Sequence, residues 1–298
     1  MIIPSHIQIA TVEGKCTAKC IMCPIGQSTR NKIMDNKTFT SILEKFVPYL
    51  DFQKFLSFLG LGETLIDKQV HKKVEIAANM GFRGIGVYTN GMLLTKMVSE
   101  SLMKAGINTL VVSIDGYRRE TQGNIRIGSN LDDIIRNVEN FISIRNSGYF
   151  KARVIIRFTR QSLNIEEWDD FYNFWKIRLN KKYNDSIFCY DVQNFGGNNY
   201  ISMTENFKVN AKEETLSCDQ IMDRIVIFSD GSLGLCCGDQ FGNYINGNVL
   251  QNDPILLYNK KPFTEYRKLI SLGKMNEIRL CRDCSNPISI KKKEWYFL

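Results

Sequence analysis

Three cysteines near the start of the chain constrain its fold and chemistry more than any other feature. They are Cys16, Cys20 and Cys23, separated by three and then by two residues. A structural zinc site takes four protein ligands, and most iron–sulfur clusters are held by four cysteines. Three thiolates at this spacing hold a cluster in which one iron stays open to another ligand. A zinc knuckle or a set of unrelated buried thiols is the alternative interpretation.

This segment, with Pro24 directly after the third cysteine, resembles the signature of the radical S-adenosylmethionine (radical SAM) superfamily. The resemblance implies that Cys16, Cys20 and Cys23 ligate a 4Fe–4S cluster whose open iron binds the methionine end of SAM. It also implies that one electron cleaves SAM to a deoxyadenosyl radical, which abstracts hydrogen from a substrate.

Strand-like and helical segments alternate through the first two thirds of the chain. Apolar runs predict strands at residues 7–12, 55–59, 85–88, 109–114, 153–158 and 187–192. Helical patterns lie near residues 38–48, 67–80, 93–105, 131–146 and 165–179. Strands separated by helices predict a parallel sheet. Six such units are too few for an eight-stranded barrel, so we expect an α/β fold with a partial (β/α)6 barrel, which the resemblance also implies.

Residues 196–217 interrupt this alternation with glycine, asparagine and charged residues. Such a composition predicts a linker. A chain of 298 residues is long enough for one large α/β domain and a small second one. We therefore expect a barrel at residues 1–195 and a C-terminal domain at residues 218–298.

A second set of cysteines lies in the C-terminal region. They are Cys218, Cys236, Cys281 and Cys284. The sequence predicts a hairpin that turns at Asp230-Gly231 and precedes Cys236. Taken alone, four cysteines could hold zinc or iron. Beside the first triplet they resemble the twitch domain, a reduced SPASM domain, which implies a small hairpin-and-helix domain with one auxiliary 4Fe–4S cluster. Because all its ligands come from the protein, that cluster would carry electrons rather than bind substrate.

Segments that follow the predicted strands resemble the superfamily's SAM-binding motifs. After strand two comes Gly60-Leu61-Gly62-Glu63. The resemblance implies that Glu63 binds the methionine amino group, since a carboxylate pairs with an ammonium. Glycine here would let main chain approach the ligand. A glycine turn that caps a strand is the alternative.

Strand four ends at Ser113 and Asp115, and Arg126 follows downstream. Both segments resemble family segments in which a serine or aspartate contacts the ribose and an arginine binds the SAM carboxylate. A guanidinium suits a carboxylate because it can bind it bidentately. The alternative is an ordinary loop with a surface arginine. Thr89-Asn90 lies in another segment that resembles a motif of the superfamily. The formation of a turn is sufficient to explain these residues.

Alternation along strands five and six selects candidate substrate contacts. We expect Arg157, and with it Cys189 and Asp191, to face the barrel lumen, while Phe188 and Tyr190 pack beneath helices. Charges inside a barrel are costly without a partner or ligand. Arg157 and Asp191 are therefore predicted to contact substrate. A mutual ion pair or exposure at the barrel edge is an equal alternative.

The cysteine layout resembles that of a twitch-type aminocyclitol dehydrogenase. It implies oxidation of an alcohol on a sugar-like or cyclitol-like substrate, with the auxiliary cluster accepting the electron. A redox-neutral epimerase is the first alternative, with Cys237 or Cys189 as the hydrogen donor. A buried free thiol also packs like a small apolar residue.

Peptide modification is a further alternative, because many SPASM-bearing enzymes act on peptides. Such enzymes often begin with a leader-binding domain, and strand one here starts near Ile7, so none is expected before the barrel. The alternative that a separate protein binds the leader peptide stays open. A non-catalytic iron–sulfur scaffold would leave Glu63 and Arg126 without purpose.

Composition and charge limit which partners and which cellular compartment we expect. The net charge of +8 is spread among acidic neighbours, apart from the run at residues 291–293, and predicts no nucleic-acid partner. No apolar run is long enough to span a bilayer, and the first residues lack signal-peptide features. Nine cysteines clustered at ligand spacings suit a reducing cytoplasm. Reductive SAM cleavage would need an electron donor such as flavodoxin or ferredoxin.

Overall fold

The computed structural model describes residues 1–148, 150–196, 218–286 and 294–297. Within these ranges one sheet has ten strands. They are β1 His6–Ile9, β2 Phe55–Phe58, β3 Ile85–Thr89, β4 Thr109–Ser113, β5 Arg153–Arg160, β6 Ser186–Asp191, β7 Arg224–Ile227, β8 Ser232–Gly234, β9 Ile245–Asn248 and β10 Glu294–Phe297. Their order in the sheet is β9-β8-β7-β1-β2-β3-β4-β5-β6-β10.

The predicted parallel sheet is confirmed. Strands β1 to β6 correspond to the six predicted strands, and neighbours among them pair in parallel. Strand β7 was not predicted and adds a further parallel neighbour, because it pairs with β1 from His6↔Arg224 to Ile9↔Ile227. The sheet therefore continues into the region assigned to the second domain, and its curved inner face encloses a lumen.

Helices connect these strands. They are α1 Asn36–Glu44, α2 Val70–Asn79, α3 Lys96–Lys104, α4 Arg119–Ile125, α5 Leu131–Ser147, α6 Trp168–Lys176, α7 Gln220–Asp223, α8 Pro254–Tyr258, α9 Phe263–Ser271 and α10 Arg279–Arg282. Helices α1, α2, α3, α5 and α6 correspond to the five predicted ones. Among the described residues, every helix is too short or too polar to cross a lipid bilayer.

Helix α5 shows why these segments are helical. Asn130 begins it by accepting a hydrogen bond from the Asp133 amide, which satisfies one free donor of the first turn. Ile134, Val138 and Phe141 recur at helical spacing and are fully buried. They place an apolar stripe against the sheet, and such stripes fix the position of each helix.

The C-terminal region joins the barrel through the predicted hairpin. Strands β7 and β8 pair antiparallel with Val226 opposite Gly234, which confirms a turn at Asp230-Gly231. Strand β10 pairs antiparallel with β6 at the other edge. The predicted linker, from residue 197 onward, and the basic run at residues 291–293 lie outside the described residues.

The faces of β6 are the reverse of those predicted. Cys189 is fully buried in the apolar core on the helix side of the sheet, and Asp191 pairs with Arg160 at 2.7 Å rather than with Arg157. Phe188 and Tyr190 instead line the lumen. The prediction assumed that aromatic residues pack beneath helices. Here Phe188 stacks on Trp295 of the neighbouring strand β10, with ring centroids 4.4 Å apart.

Candidate active site

A cavity of about 390 Å³ occupies the lumen and reaches the loops at the carboxyl ends of the strands. Five cysteine residues line it. They are Cys16, Cys20 and Cys23 of the first loop and Cys236 and Cys237 after β8. Ligands bind at this edge in open α/β sheets. Both cysteine-rich segments thus border one space.

The loop that carries the first triplet rests on the Gly60–Glu63 segment. The Gly14 amide donates to the Leu61 carbonyl and the Glu63 amide to the Lys15 carbonyl, both at 2.8 Å. A Cβ at Gly62 would lie 2.6 Å from the Val12 carbonyl oxygen, and one at Gly60 would lie 2.6 Å from Ala10 Cβ. Both glycines line the cavity, but the close approach that they permit is to the chain itself.

Cys20 is held by a short antiparallel ribbon. It lies opposite Arg126 in a two-residue pairing, and the Ile21 amide donates to the Ile125 carbonyl at 2.9 Å. Asn90 fixes the other side of the loop, because its Nδ2 donates to Thr17 Oγ1 at 2.9 Å. Asn90 therefore does more than form the turn expected from the sequence.

Glu63 is 2% exposed and lines the cavity. Its carboxylate accepts hydrogen bonds from the Leu65 amide at 3.0 Å, Thr89 Oγ1 at 2.7 Å and the Asn90 amide at 2.7 Å. Burial raises the pKa of Glu63, and these hydrogen bonds oppose that shift. The carboxylate is thus fixed in orientation, and a bound cation would restore its ordinary ionisation.

Arg126 lines the cavity, whereas Asp115 lies behind it. The two side chains form an ion pair at 2.6 Å, and Asp115 is fully buried with its Oδ1 accepting from the Thr159 amide at 2.7 Å. The prediction that Asp115 contacts the ribose is therefore wrong: the carboxylate turns inward to meet the guanidinium. Ser113 does line the cavity. Arg126 Nε is buried without an acceptor among the described residues.

The C-terminal thiols crowd one another. Burial raises the pKa of Cys236 well above its usual value, and the neighbouring Cys237, Cys284 and Cys281 raise it further. Burial likewise raises the pKa of Cys281 to about 12, and Cys284 and Cys218 add to that effect. These four partly buried thiols raise one another's pKa, and a multiply charged cation would stabilise their thiolate forms.

A single zinc ion and a 4Fe–4S cluster place different demands on the spacing of four thiolates. Around one zinc, four thiolates would stand about 3.8 Å apart, given the tetrahedral Zn–S distance. Within the described ranges, no three Cys, His, Asp or Glu side chains gather as ligands of one metal ion. In a 4Fe–4S cluster each thiolate binds a different iron, so the ligands stand further apart.

Contacts on two sides join the C-terminal region to the barrel. Arg30, after the first triplet, donates to Asp230 Oδ2 at 3.1 Å, and buried Glu13 accepts from the Ser229 amide at 2.8 Å. On the other side, the Asn194 amide donates to Ser285 Oγ at 2.9 Å. The contact with Ser285 holds the adjacent Cys284 beside the end of β6.

Several cavity residues were missed by the sequence analysis. They are Gln8, Tyr88, Phe188, Tyr190, Gln220, Arg224, Asp239 and Trp295. Alternation along β3 would have placed Tyr88 inside. Arg224 could be found only by recognising residues 224–227 as a strand, where Arg224 and Val226 face the lumen and Ile225 and Ile227 the core.

Comparison with known families accounts for both cysteine sets. The model described as the radical SAM superfamily matches residues 12–174. The SPASM model, described as an iron–sulfur cluster-binding domain, matches residues 218–285. These matches confirm the predicted cofactors, SAM and two 4Fe–4S clusters, one for each matched region.

Individual relatives match this chain at low sequence identity. A GTP 3',8-cyclase from Clostridium botulinum is 26% identical over 185 residues, which are 59% of this chain and 53% of the relative. The chain thus spans about half the length of that relative. The structure of BtrN in complex with AdoMet and 2-DOIA matches with a TM-score of 0.65 at 20% identity, over 96% of this chain and 95% of BtrN. Streptococcus suis SuiB bound to precursor peptide SuiA matches with a TM-score of 0.64 at 17% identity, over 90% of this chain and 67% of SuiB.

Proposed function

The chain belongs to the radical SAM superfamily, and from this premise we propose that it oxidises an alcohol of a sugar-like or cyclitol-like substrate. One observation carries the proposal: Cys16, Cys20 and Cys23 border the same cavity as Cys236. A substrate in that cavity would lie between the two cluster sites. The BtrN structure, with AdoMet and 2-DOIA bound, has the same fold over nearly the whole chain.

Different residues at the carboxyl ends of the strands would bind the different cofactors. Cys16, Cys20 and Cys23 would hold one cluster, and the four C-terminal cysteines would hold the other. Glu63 would bind the SAM amino group and Arg126 its carboxylate, with Ser113 beside the ribose. When bound, these groups supply a hydrogen-abstracting radical and an electron acceptor, so that the substrate becomes a ketone by losing a hydrogen atom, a proton and an electron.

The chain's own contribution is to exclude water and to orient the alcohol. Phe188, Tyr190 and Trp295 give the lumen an apolar wall against which a ring can lie. The reducing equivalents for SAM cleavage would come from a protein such as flavodoxin or ferredoxin, in a reducing compartment such as the cytoplasm.

A redox-neutral epimerase is the second candidate, and the position of Cys237 favours it. Cys237 lines the cavity, with its Sγ 3.5 Å from Gln220 Oε1. A thiol there could return a hydrogen atom to the substrate. Cys189, the other candidate donor, is fully buried in the core behind β6.

Turnover in heavy water separates the two reactions. Anaerobically reconstituted enzyme with SAM and a reductant is tested on a set of sugars and cyclitols, and the products are analysed by mass spectrometry. Oxidation gives a product lighter by two hydrogens and without deuterium, and Cys237→Ala keeps turnover. The matched control is Cys189→Ala, which removes a thiol outside the cavity.

An epimerase would differ both in the mass and deuterium content of its product and in its response to Cys237→Ala. Its product would have unchanged mass in ordinary water and one deuterium in heavy water, because a thiol exchanges with solvent. Cys237→Ala would then consume SAM to deoxyadenosine with little product. That pair of results would reject oxidation.

A further inference from the structure

We propose that the substrate of this cavity carries an anionic group, a phosphate or a carboxylate, bound between Arg157 and Arg224. This inference rests on the proposed function, since it takes the lumen as the substrate site. It adds the chemical class of the substrate. The residues involved form the lumen floor, which we define as Gln8, Tyr88, Arg157 and Arg224.

Among the described residues, the positive charges of the lumen floor are not neutralised by nearby carboxylates. Three arginines line it, and of these Arg126 is neutralised by Asp115 at 2.6 Å. Among the described residues, no carboxylate lies within ion-pair distance of Arg157 or Arg224. The Nε atoms of both are buried and have no hydrogen-bond acceptor there. A cation removed from water requires a partner, and a ligand can provide it.

The carboxylates of the cavity are already engaged elsewhere. Glu63 accepts three hydrogen bonds at the far end of the cavity, from Leu65, Thr89 and Asn90. Asp239 accepts the amides of Asn243 and Tyr244 at 2.8 and 2.9 Å. Within the described ranges, Arg224 Nη1 donates only to the neutral amide oxygen of Gln8, at 3.2 Å. Among the described residues, the positive charge of the floor therefore has no carboxylate partner, and we assign that role to a ligand.

Both guanidinium groups act on one side chain. Arg157 lies 5.7 Å from the Tyr88 ring and 5.8 Å from the Tyr190 ring. Burial raises the pKa of Tyr88, and the charges of Arg224 and then Arg157 lower it. Tyr88, Arg157 and Arg224 all line the same cavity, so an anionic group bound beside Tyr88 would meet guanidinium groups from two strands.

The floor is separate from the SAM end of the cavity. Arg224 is the first residue of β7 and pairs in register with His6 at the start of β1. The first cysteine triplet, Glu63 and Asn90 lie instead on loops after the carboxyl ends of the strands. Guanidinium groups bind phosphate and carboxylate bidentately, whereas they repel an ammonium. A substrate whose only charge is an ammonium is therefore disfavoured.

Four matched sugars test the charge preference. Glucose 6-phosphate, glucuronate, glucose and glucosamine are titrated into anaerobically reconstituted enzyme with SAM present, by calorimetry. The two anions should bind at least tenfold more tightly than glucose, and glucosamine no more tightly than glucose. A larger effect for one anion identifies the phosphate or the carboxylate as the recognised group.

Variants assign the preference to the floor. Arg157→Gln and Arg224→Gln should each reduce the preference for anions by about tenfold to a hundredfold, and the lysine variants should keep part of it. Arg178→Gln is the matched control, because Arg178 pairs with Glu139 on the outer surface. Iron content and SAM affinity show whether each variant has folded.

Three results would overturn the inference. They are equal or undetectable binding of all four sugars at millimolar concentration, tighter binding of glucosamine, and a preference for anions that survives Arg157→Gln/Arg224→Gln. The measurement does not depend on turnover. A preference for anions with a redox-neutral product would reject alcohol oxidation and leave the substrate class standing.

Discussion

Charged side chains at the SAM end of the cavity are paired with other groups of the protein, whereas the arginines at the lumen floor have no carboxylate partner among the described residues. At the SAM end, Arg126 is paired with Asp115 at 2.6 Å and Glu63 is fixed by three hydrogen bonds. At the lumen floor, Arg157 and Arg224 have no carboxylate partner among the described residues. Groups that bind an invariant cofactor are pre-oriented by the chain, which lowers the entropy lost on binding. Groups that bind a substrate are left to be neutralised by it.

The largest effect is expected from the first cysteine triplet. Changing Cys16, Cys20 and Cys23 together to alanine should remove about half of the roughly eight irons that two four-iron clusters contain. It should abolish SAM cleavage, because no open iron remains. Iron analysis and chromatography of deoxyadenosine measure both quantities.

Cys189→Ala is the control for this prediction. It removes a fully buried thiol that does not line the cavity, so both iron content and SAM cleavage should stay at the level of the unmodified protein. Deoxyadenosine production by the triple variant would contradict the assignment of the SAM-binding cluster.

The second effect concerns the pairing at the SAM end. Asp115→Asn keeps the shape of the side chain and its contact with the Thr159 amide but removes the charge that orients Arg126. SAM should bind about tenfold more weakly, with iron content unchanged. Equilibrium binding of SAM to the reconstituted protein measures this change.

Arg126→Gln alone would leave Asp115 buried and unpaired, which destabilises a fold by about 3–5 kcal/mol. The double variant Asp115→Asn/Arg126→Gln avoids this and should also lose SAM affinity. Asp191→Asn is the matched control, because it breaks the Arg160 ion pair outside the cavity. Unaltered affinity in both SAM-end variants would mean that Arg126 does not bind SAM.

Residue spacing allowed the fold and the SAM end to be predicted better than the floor. Strand and helix patterns depend on local alternation, so all six predicted strands and five predicted helices are present. Cys16, Cys20, Cys23, Glu63 and Arg126 were selected through motifs, and the structure gathers them at one cavity.

The failures occurred where tertiary contacts decide orientation. The faces of β6 were reversed because Phe188 stacks on Trp295, which is distant in sequence. Asp115 was assigned to the ligand because its partner Arg126 lies in another segment. Arg224 was missed because β7 pairs with β1 across more than two hundred residues, and local patterns carry no information about such pairing.

The smallest expected effect is electrostatic and tests the charge at the floor through His6. His6 lies beside Arg224 in the register of β1 and β7, with Nε2 2.8 Å from Ser57 Oγ and its ring 5.0 Å from the Phe55 ring. Burial, and then the charge of Arg224, lowers the pKa of His6 from 6.5 to about 2. As the pH falls below 6.5, His6 therefore takes up a proton in the unfolded chain but stays neutral in the native state.

Stability that depends on neutral His6 is fully present above pH 6.5 and is lost as the pH falls towards 2. Below pH 6.5 the slope from this group is at most about 1.4 kcal/mol per pH unit. Arg224→Gln removes one cause of the low pKa, so histidine NMR should show the His6 pKa rising in that variant. Arg178→Gln should leave it unchanged. If the His6 pKa does not respond to Arg224→Gln, the guanidinium charge at the floor is already neutralised, and the contrast between the two ends of the cavity fails.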